Sequence, residues 1–328
     1  MKQKVLSYMR VDERVRAELE KEFDVTSFQN HEYVGDPRFD QALKEADGII
    51  GLALKVTKEL LELAPNVKIV SNVSVGYDNL DLEELTKRQI MATNTPNILD
   101  DTTADAMFGL LLATARRIPE LDHYVKAGQW TVSLQPEQYG IDVHHKTLGI
   151  IGMGNIGTAI AKRAHLGFDM KILYHNRSRR PEAEERFQAT YCELDELLER
   201  SDYVCLMVPA SKATKHLIGK AEFQRMKRTA IFINGSRGQN IDEEALYEAL
   251  VQGEIRAAGM DVFTEEPTRP DNPLLSLSNV VTLPHIGSST IECEYQMSKL
   301  AADNLRKGLQ GQKPPTLINE EVWNRREP

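Results

Sequence analysis

Three side chains able to do acid–base and anion chemistry stand just beyond three consecutive apolar runs in the second half of the chain. Arg237 follows Ile231-Phe-Ile-Asn234, Glu266 follows Met260-Asp-Val-Phe263, and His285 follows Val280-Val-Thr-Leu283. An imidazolium can deliver a proton to an oxygen that is gaining negative charge. A neighbouring carboxylate favours the charged ring. A guanidinium can hold a carboxylate with two parallel bonds and polarise an adjoining keto oxygen. Together the three suit hydride transfer to a carbonyl, in which a cofactor supplies the hydride and the protein supplies orientation and charge. Singly, each has an ordinary explanation. The chain has 8 His, Arg237 could serve a loop ion pair, and Glu265 competes with Glu266. Their common placement carries the reading.

The cofactor signal lies upstream, in Thr147-Leu-Gly-Ile-Ile-Gly-Met-Gly-Asn-Ile-Gly157. Gly152, Gly154 and Gly157 have the G-x-G-x-x-G spacing. The first allows a tight turn, the second admits a pyrophosphate close to the backbone, and the third lets helix and strand pack closely. Asn155 and Ile156 open the helix, whose N–H groups and positive dipole end face the pyrophosphate. Glycines cluster in many turns, so the spacing alone is weak. The apolar strand before it and the helix with Ala159, Ala161 and Ala164 after it strengthen the reading of a dinucleotide site.

The next strand, Lys171-Ile-Leu-Tyr174, leads into His175-Asn-Arg-Ser-Arg-Arg180. An NAD site usually has an acid here to accept from the ribose 2′-hydroxyl. No Asp or Glu occurs before Glu182. Asn176, Arg177 and Ser178 can instead bond a 2′-phosphate, so NADP(H) is expected in preference to NAD(H). Arg179 and Arg180 stay open between a phosphate contact and a solvated basic loop.

These residues need elements to position them. In the first third, strands are expected at Val5–Tyr8, Val25–Phe28, Gly48–Leu52, Val67–Val73 and Ile90–Ala92. Helices between them are capped by Asp12, Thr57 and Asp81. Strict alternation of strand and helix implies a parallel sheet covered on both faces. Thr95-Pro96 ends this unit. Asp100 or Asp101 is expected to cap a long apolar helix from Thr102 to Arg117, followed by a helix near Pro119–Ala127 and an irregular loop over 128–145. Six strands follow, starting at Thr147, Lys171, Tyr203, Ala230, Ala257 and Val280. A last helix spans about Ile291–Leu309. The fold class is α/β, with two doubly wound sheets.

Composition narrows the partners. A length of 328 residues suggests about two domains, and 41% hydrophobic content provides a core for each. A net charge of −9 disfavours nucleic acid as a partner. Cys192, Cys205 and Cys293 are scattered, which points to a reducing cytoplasm. Neither a signal peptide nor a membrane span is expected. His144-His145 lacks companions at ligand spacing, so no metal is expected. Trp130 and Tyr139 in the irregular loop either cap a core or face a partner subunit.

The chain resembles the D-isomer-specific 2-hydroxyacid dehydrogenases over nearly its whole length. The matching stretches are Ser-Val-Gly-Tyr-Asp78, Asp-Thr-Thr-Ala-Asp105, Gly-Met-Gly-Asn-Ile-Gly157, Ile-Asn-Gly-Ser-Arg-Gly238, Asp-Val-Phe-Thr-Glu-Glu-Pro267 and Pro-His-Ile-Gly-Ser288. Within that family it is most similar to bacterial glyoxylate/hydroxypyruvate reductases, including those called 2-ketogluconate reductases, and Tyr-Gly-Ile-Asp-Val-His-His-Lys-Thr-Leu-Gly149 is part of that likeness. The resemblance implies His285 as proton donor, Glu266 as its partner, and Arg237 as anchor for the substrate. It implies that the backbone of Val75 and Gly76 binds the substrate carboxylate. It places Thr103, Pro209, Thr214, Gly235, Ser236, Asp261 and Gly287 around the cofactor, with Arg237 and His285 also touching it. It implies a homodimer. It also implies a discontinuous substrate domain of 1–99 with 289–328, a Rossmann NADP domain of 100–288 and an active site in the cleft. Pro209-Ala-Ser211, Ser289 and Asn240-Ile241 depart from the family's usual residues at the rim. Some relatives of this fold act as nucleotide-sensing corepressors, and phosphoglycerate dehydrogenase is an alternative within the enzyme class.

Overall fold

The computed structural model describes residues 2–29 and 36–324. The chain divides into two compact units, Met1–Leu99 with Ser289–Pro328, and Asp100–Ser288.

The first unit holds β1 (Lys4–Tyr8), β2 (Asp24–Phe28), β3 (Gly48–Gly51), β4 (Ile69–Asn72) and β5 (Met91–Thr93). They form one sheet in the order β2-β1-β3-β4-β5, and every pairing is parallel. Helices α1 (Glu13–Glu22), α2 (Pro37–Glu45), α3 (Lys58–Glu62) and α4 (Leu82–Lys87) connect them. Asp12, Asp36, Thr57 and Asp81 cap these four helices by accepting a backbone N–H of the first turn. β3 and β4 are buried along their whole length, as strands covered on both faces must be.

The second unit runs through α5 (Asp100–Ala115), α6 (Ile118–Lys126), β6 (Thr147–Ile151), α7 (Asn155–Phe168), β7 (Lys171–His175), α8 (Pro181–Phe187), β8 (Thr190–Tyr191), α9 (Leu194–Arg200) and β9 (Tyr203–Leu206). It continues through α10 (Lys220–Arg225), β10 (Ile231–Asn234), α11 (Glu243–Val251), β11 (Ala257–Met260) and β12 (Val280–Thr282). The sheet order is β12-β11-β10-β9-β6-β7-β8. The strand order reverses at β6, which lies between β7 and β9, and this is where a doubly wound sheet binds a dinucleotide. One face packs on α5 and α7 through Met107, Leu110, Leu111, Ile160 and Ala164. The other packs on α9, α10 and α11 through Leu197, Phe223 and Leu246.

Some expectations need correction. Asp100 and Asp101 do not cap α5; they form its first turn, where carboxylates oppose the positive helix end. β8 has only 2 residues, too few to show alternation. The 128–145 stretch is irregular apart from one short 3-10 turn at Pro136–Gln138.

The expected last helix is α12 (Ile291–Leu309), capped by Thr290 and followed by α13 (Glu320–Asn324). Both belong to the first unit. Between them the chain lies along the free edge of β5. Thr93 and Leu317 form an antiparallel bridge, and Ile318 N–H donates to the Ala92 carbonyl at 2.8 Å. Asn319, nearly buried, accepts from Ala92 N–H at 2.8 Å and donates to the Ile90 carbonyl at 2.9 Å. This strap was not legible in the sequence, because it is built from side-chain amides and not from periodic apolar residues. Among the described residues no helix is long and apolar enough to cross a membrane.

Replacing Asn319 with Ala leaves the buried Ala92 N–H without its acceptor. The expected cost is about 1–3 kcal/mol, read as a lower denaturant midpoint for the first unit.

Candidate active site

Because all strands of the second sheet are parallel, the loops after β6, β7, β9, β10, β11 and β12 emerge at one edge. That edge carries the Gly-rich turn, the basic loop, Arg237, Glu266 and His285.

Glu266 and His285 are in contact. His285 Nδ1 lies 2.7 Å from Glu266 Oε2, and Glu266 Oε1 accepts from Phe263 N–H at 2.9 Å. Burial pushes the Glu266 carboxyl up. The hydrogen bond and charge of His285, the Phe263 N–H and the charge of Arg237 outweigh this and hold it below the usual carboxylate range. It is therefore ionised at neutral pH and can only accept, so the proton on Nδ1 points at it. Glu265, the competing acid, pairs instead with Arg269.

His285 itself stands in the left-handed region, with φ of 54°. The loop that imposes this is tied to Asp261, which is only 2% exposed. Asp261 accepts from Ile286 N–H at 2.8 Å through Oδ1 and from Gly287 N–H at 3.0 Å through Oδ2. Burial raises the Asp261 carboxyl above its ordinary range, against the pull of these bonds and of His285. Thr103 of α5 closes on the same loop, since a Cβ on Gly287 would lie 3.2 Å from its methyl.

Arg237 is positioned by buried amides. Asn234 accepts from Ser236 N–H at 3.1 Å and from Ser236 Oγ at 2.8 Å. Asn240 donates to the Val208 carbonyl at 3.0 Å and to Ser236 Oγ at 3.2 Å, linking the loops after β9 and β10. Gly238 passes so close to the next loop that a Cβ there would sit 1.9 Å from the Phe263 carbonyl carbon. That approach brings Arg237 up to the stretch bearing Glu266. Of these amides, Asn240 stands out in the sequence only as a departure from the family pattern. A polar residue ending an apolar run, as Asn234 does, was the available signal.

At the Gly-rich turn, Gly152 has φ of 102° and packs on the Met207–Val208 backbone. A Cβ on Gly157 would lie 2.4 Å from the Gly152 carbonyl oxygen, whereas one on Gly154 would enter open space. A pyrophosphate needs that clearance beside a helix N-terminus, so the turn fits one. Asn155 begins α7, Ile156 packs on the core, and a groove of about 300 Å³ opens beside Gly154 and Asn155 with Arg180 on its wall. Thr214 Oγ1 donates to the Pro209 carbonyl at 2.8 Å and accepts from Ser211 N–H at 2.8 Å, which closes the loop after β9. Gly235 lies against Met107 and Met207.

The basic loop separates its arginines. Arg179 pairs bidentately with Glu184, at 3.0 and 2.7 Å, and Tyr174 Oη donates to the same carboxylate at 2.5 Å. Arg179 is thus part of the scaffold, and Glu184 is already engaged. Arg177 is exposed, and neither it nor Arg180 forms an ion pair among the described residues. Asn176 and Ser178 flank Arg177.

Val75 and Gly76 lie in the first unit, in the turn after β4. Their carbonyls are bonded by Asn94 Nδ2 and Asn72 Nδ2, both at 2.9 Å. Among the described residues nothing accepts from their N–H groups. Paired N–H groups of this kind suit an anion.

Comparison with known proteins gives a consistent picture. Residues 108–287 match the family model "D-isomer specific 2-hydroxyacid dehydrogenase, NAD binding domain". A glyoxylate/hydroxypyruvate reductase B of Klebsiella pneumoniae is 49% identical over 322 residues, covering 98% of this chain and 100% of that protein. An NADPH-dependent glyoxylate/hydroxypyruvate reductase from Sinorhizobium meliloti, solved with NADP and malonate, has a TM-score of 0.86 at 30% identity, covering 98% of each chain. A glyoxylate reductase from Paecilomyes thermophila has a TM-score of 0.84 at 30% identity, covering 98% of this chain and 100% of that one.

Asp261→Ala would strip two backbone N–H groups of their acceptor. Hydrogen exchange at Ile286 and Gly287 should accelerate by about ten- to hundredfold, while the β6–α7 turn stays protected.

Proposed function

The chain belongs to the D-isomer specific 2-hydroxyacid dehydrogenases, and from that premise we propose that it is an NADPH-dependent reductase of short 2-keto acids. Glyoxylate and hydroxypyruvate are the leading substrates, by likeness to the relatives so named, and 2-ketogluconate is a further candidate. The products are D-2-hydroxy acids. The observation that carries this reading is the 2.7 Å bond between His285 and Glu266, with the charge of Arg237 nearby, on the sheet edge that bears the Gly-rich turn.

Reduction of a keto group needs a proton at the oxygen and compensation of the charge that develops there. Glu266 holds Nδ1 of His285, which leaves Nε2 to deliver the proton. Arg237 binds the substrate carboxylate and polarises the keto oxygen. The resemblance assigns the N–H groups of Val75 and Gly76 to the substrate carboxylate, and their lack of an acceptor among the described residues supports that role. A reduced nicotinamide dinucleotide held by its pyrophosphate at the Gly-rich turn would supply the hydride. Gly152, Gly154, Asn155, Ile156 and Gly157 hold its pyrophosphate. Thr103, Pro209, Thr214, Gly235, Ser236, Asp261 and Gly287 line its course.

The NADP(H) preference is supported by two features of the β7 loop. Its carboxylates Glu184 and Glu182 are both engaged, the first by Arg179 and Tyr174 and the second by Arg186. Arg177, exposed between Asn176 and Ser178, provides the charge for a 2′-phosphate. A homodimer built on the second unit is supported by Ile118, Val125, Trp130, Val132 and Tyr139, all more than half exposed, within one stretch. Three buried cysteines outside any disulfide suit the cytoplasm.

His285→Gln should lower kcat by about 10²- to 10⁴-fold with little change in NADPH affinity, measured by fluorescence titration. Near-parental turnover would remove His285 as proton donor.

Arg177→Ala should raise KM for NADPH by about ten- to hundredfold and leave NADH unaffected. A parental enzyme that prefers NADH would refute the cofactor assignment. Absence of NADPH oxidation across a panel of 2-keto acids would overturn the enzymatic reading and favour a nucleotide-sensing one.

A further inference from the structure

The turn at Val75–Gly76 is held from behind, and the end of the chain supplies part of the hold. Three successive carbonyls are tied back. The Ser74 carbonyl accepts from Thr95 N–H at 2.9 Å, the Val75 carbonyl from Asn94 Nδ2 at 2.9 Å, and the Gly76 carbonyl from Asn72 Nδ2 at 2.9 Å. In a trans peptide the carbonyl and the following N–H point in opposite directions. Fixing the Val75 carbonyl therefore fixes the direction of the Gly76 N–H. Fixing the Ser74 carbonyl does the same for the Val75 N–H.

Asn94 is itself clamped. Its carbonyl accepts from Thr316 Oγ1 at 2.6 Å and from Asn304 Nδ2 at 3.3 Å. Its N–H donates to the Thr316 carbonyl at 3.4 Å. Asn304, fully buried on α12, donates to Thr316 Oγ1 at 2.7 Å and accepts from Thr316 N–H at 3.1 Å. The connection runs from α12 through the strap to Asn94 and ends at the Val75 carbonyl.

We propose that Asn94 is a positioning residue for substrate binding, and that Thr316 and Asn304 clamp it so that its amide aims the Gly76 N–H at the substrate carboxylate. This rests on the reading that the Val75–Gly76 backbone binds that carboxylate. A rotated peptide would turn the carbonyl oxygen towards the anion in place of the N–H. The C-terminal strap thereby acts on substrate affinity without contributing a group that touches substrate.

The test is steady-state kinetics on the full-length protein with glyoxylate, NADPH titration and thermal melting. Asn94→Asp keeps the size of the side chain but replaces the donor with an acceptor. It should raise KM for glyoxylate about tenfold, with kcat changed less than about threefold and NADPH affinity unchanged. Thr316→Val should raise KM by about threefold or more, and Thr316→Ser, which restores the hydroxyl, should return it to the parental value. A residue that merely supports the fold would lower the melting temperature and kcat together and would not divide KM from kcat.

Parental KM in folded Asn94→Asp and Thr316→Val overturns the positioning role. Gly76→Pro, which removes the Gly76 N–H itself, separates the two levels. Raised KM in Gly76→Pro beside parental Asn94→Asp keeps the carboxylate reading and refutes the clamp. Parental KM in a folded Gly76→Pro refutes both.

Discussion

The carboxylate of Asp261 is the point on which the candidate site depends. It is buried at the end of β11, where an ionised acid is costly, and it is satisfied by two backbone N–H groups from the loop after β12. Those two bonds join adjacent strand ends and hold His285 in a backbone conformation that a free loop would seldom adopt. Glu266, on the same loop as Asp261, then meets the ring at Nδ1. The two acids thus divide the work by environment. Asp261, enclosed, fixes the backbone. Glu266, partly open to solvent and flanked by positive charge, stays ionised and orients the imidazole.

A related solution recurs at two other loops that follow a strand. Asn234 and Asn240 tie the loop of Arg237. Asn72 and Asn94 tie the turn at Val75. Each amide satisfies backbone groups that the sheet can no longer pair, which an apolar residue could not do without leaving orphans. At Val75 and Gly76 the tied carbonyls leave the N–H groups without an acceptor among the described residues. Gly152 and Gly157 provide the equivalent closure at the helix of the Gly-rich turn.

Much of the fold was legible because its signals are local. Alternating strands and helices implied two parallel sheets, and Asp12, Thr57 and Asp81 mark helix starts through bonds within three residues of themselves. Asp100 misled for the same reason: an acid before an apolar run looks like a cap whether it precedes the helix or lies in its first turn. β8 carried no periodic signal. The strap that ends at Asn319 was hidden because its partners, Ala92 and Ile90, are more than 220 residues away in sequence.

The sequence by itself determined which chemical groups were available and at which strand ends they stood. Arg237, Glu266 and His285 could be named from residue type and position, as could the basic loop around Arg177. Only the tertiary structure decided which of them meet. It joined His285 to Glu266 in place of Glu265, withdrew Arg179 into a pair with Glu184, and assigned Asp261 the backbone of the His285 loop. The physical reason is that caps, turns and periodicity are settled within a few residues. Hydrogen-bond partnership between loops depends on strand order and register, which a parallel sheet sets only once crossovers have brought distant segments side by side.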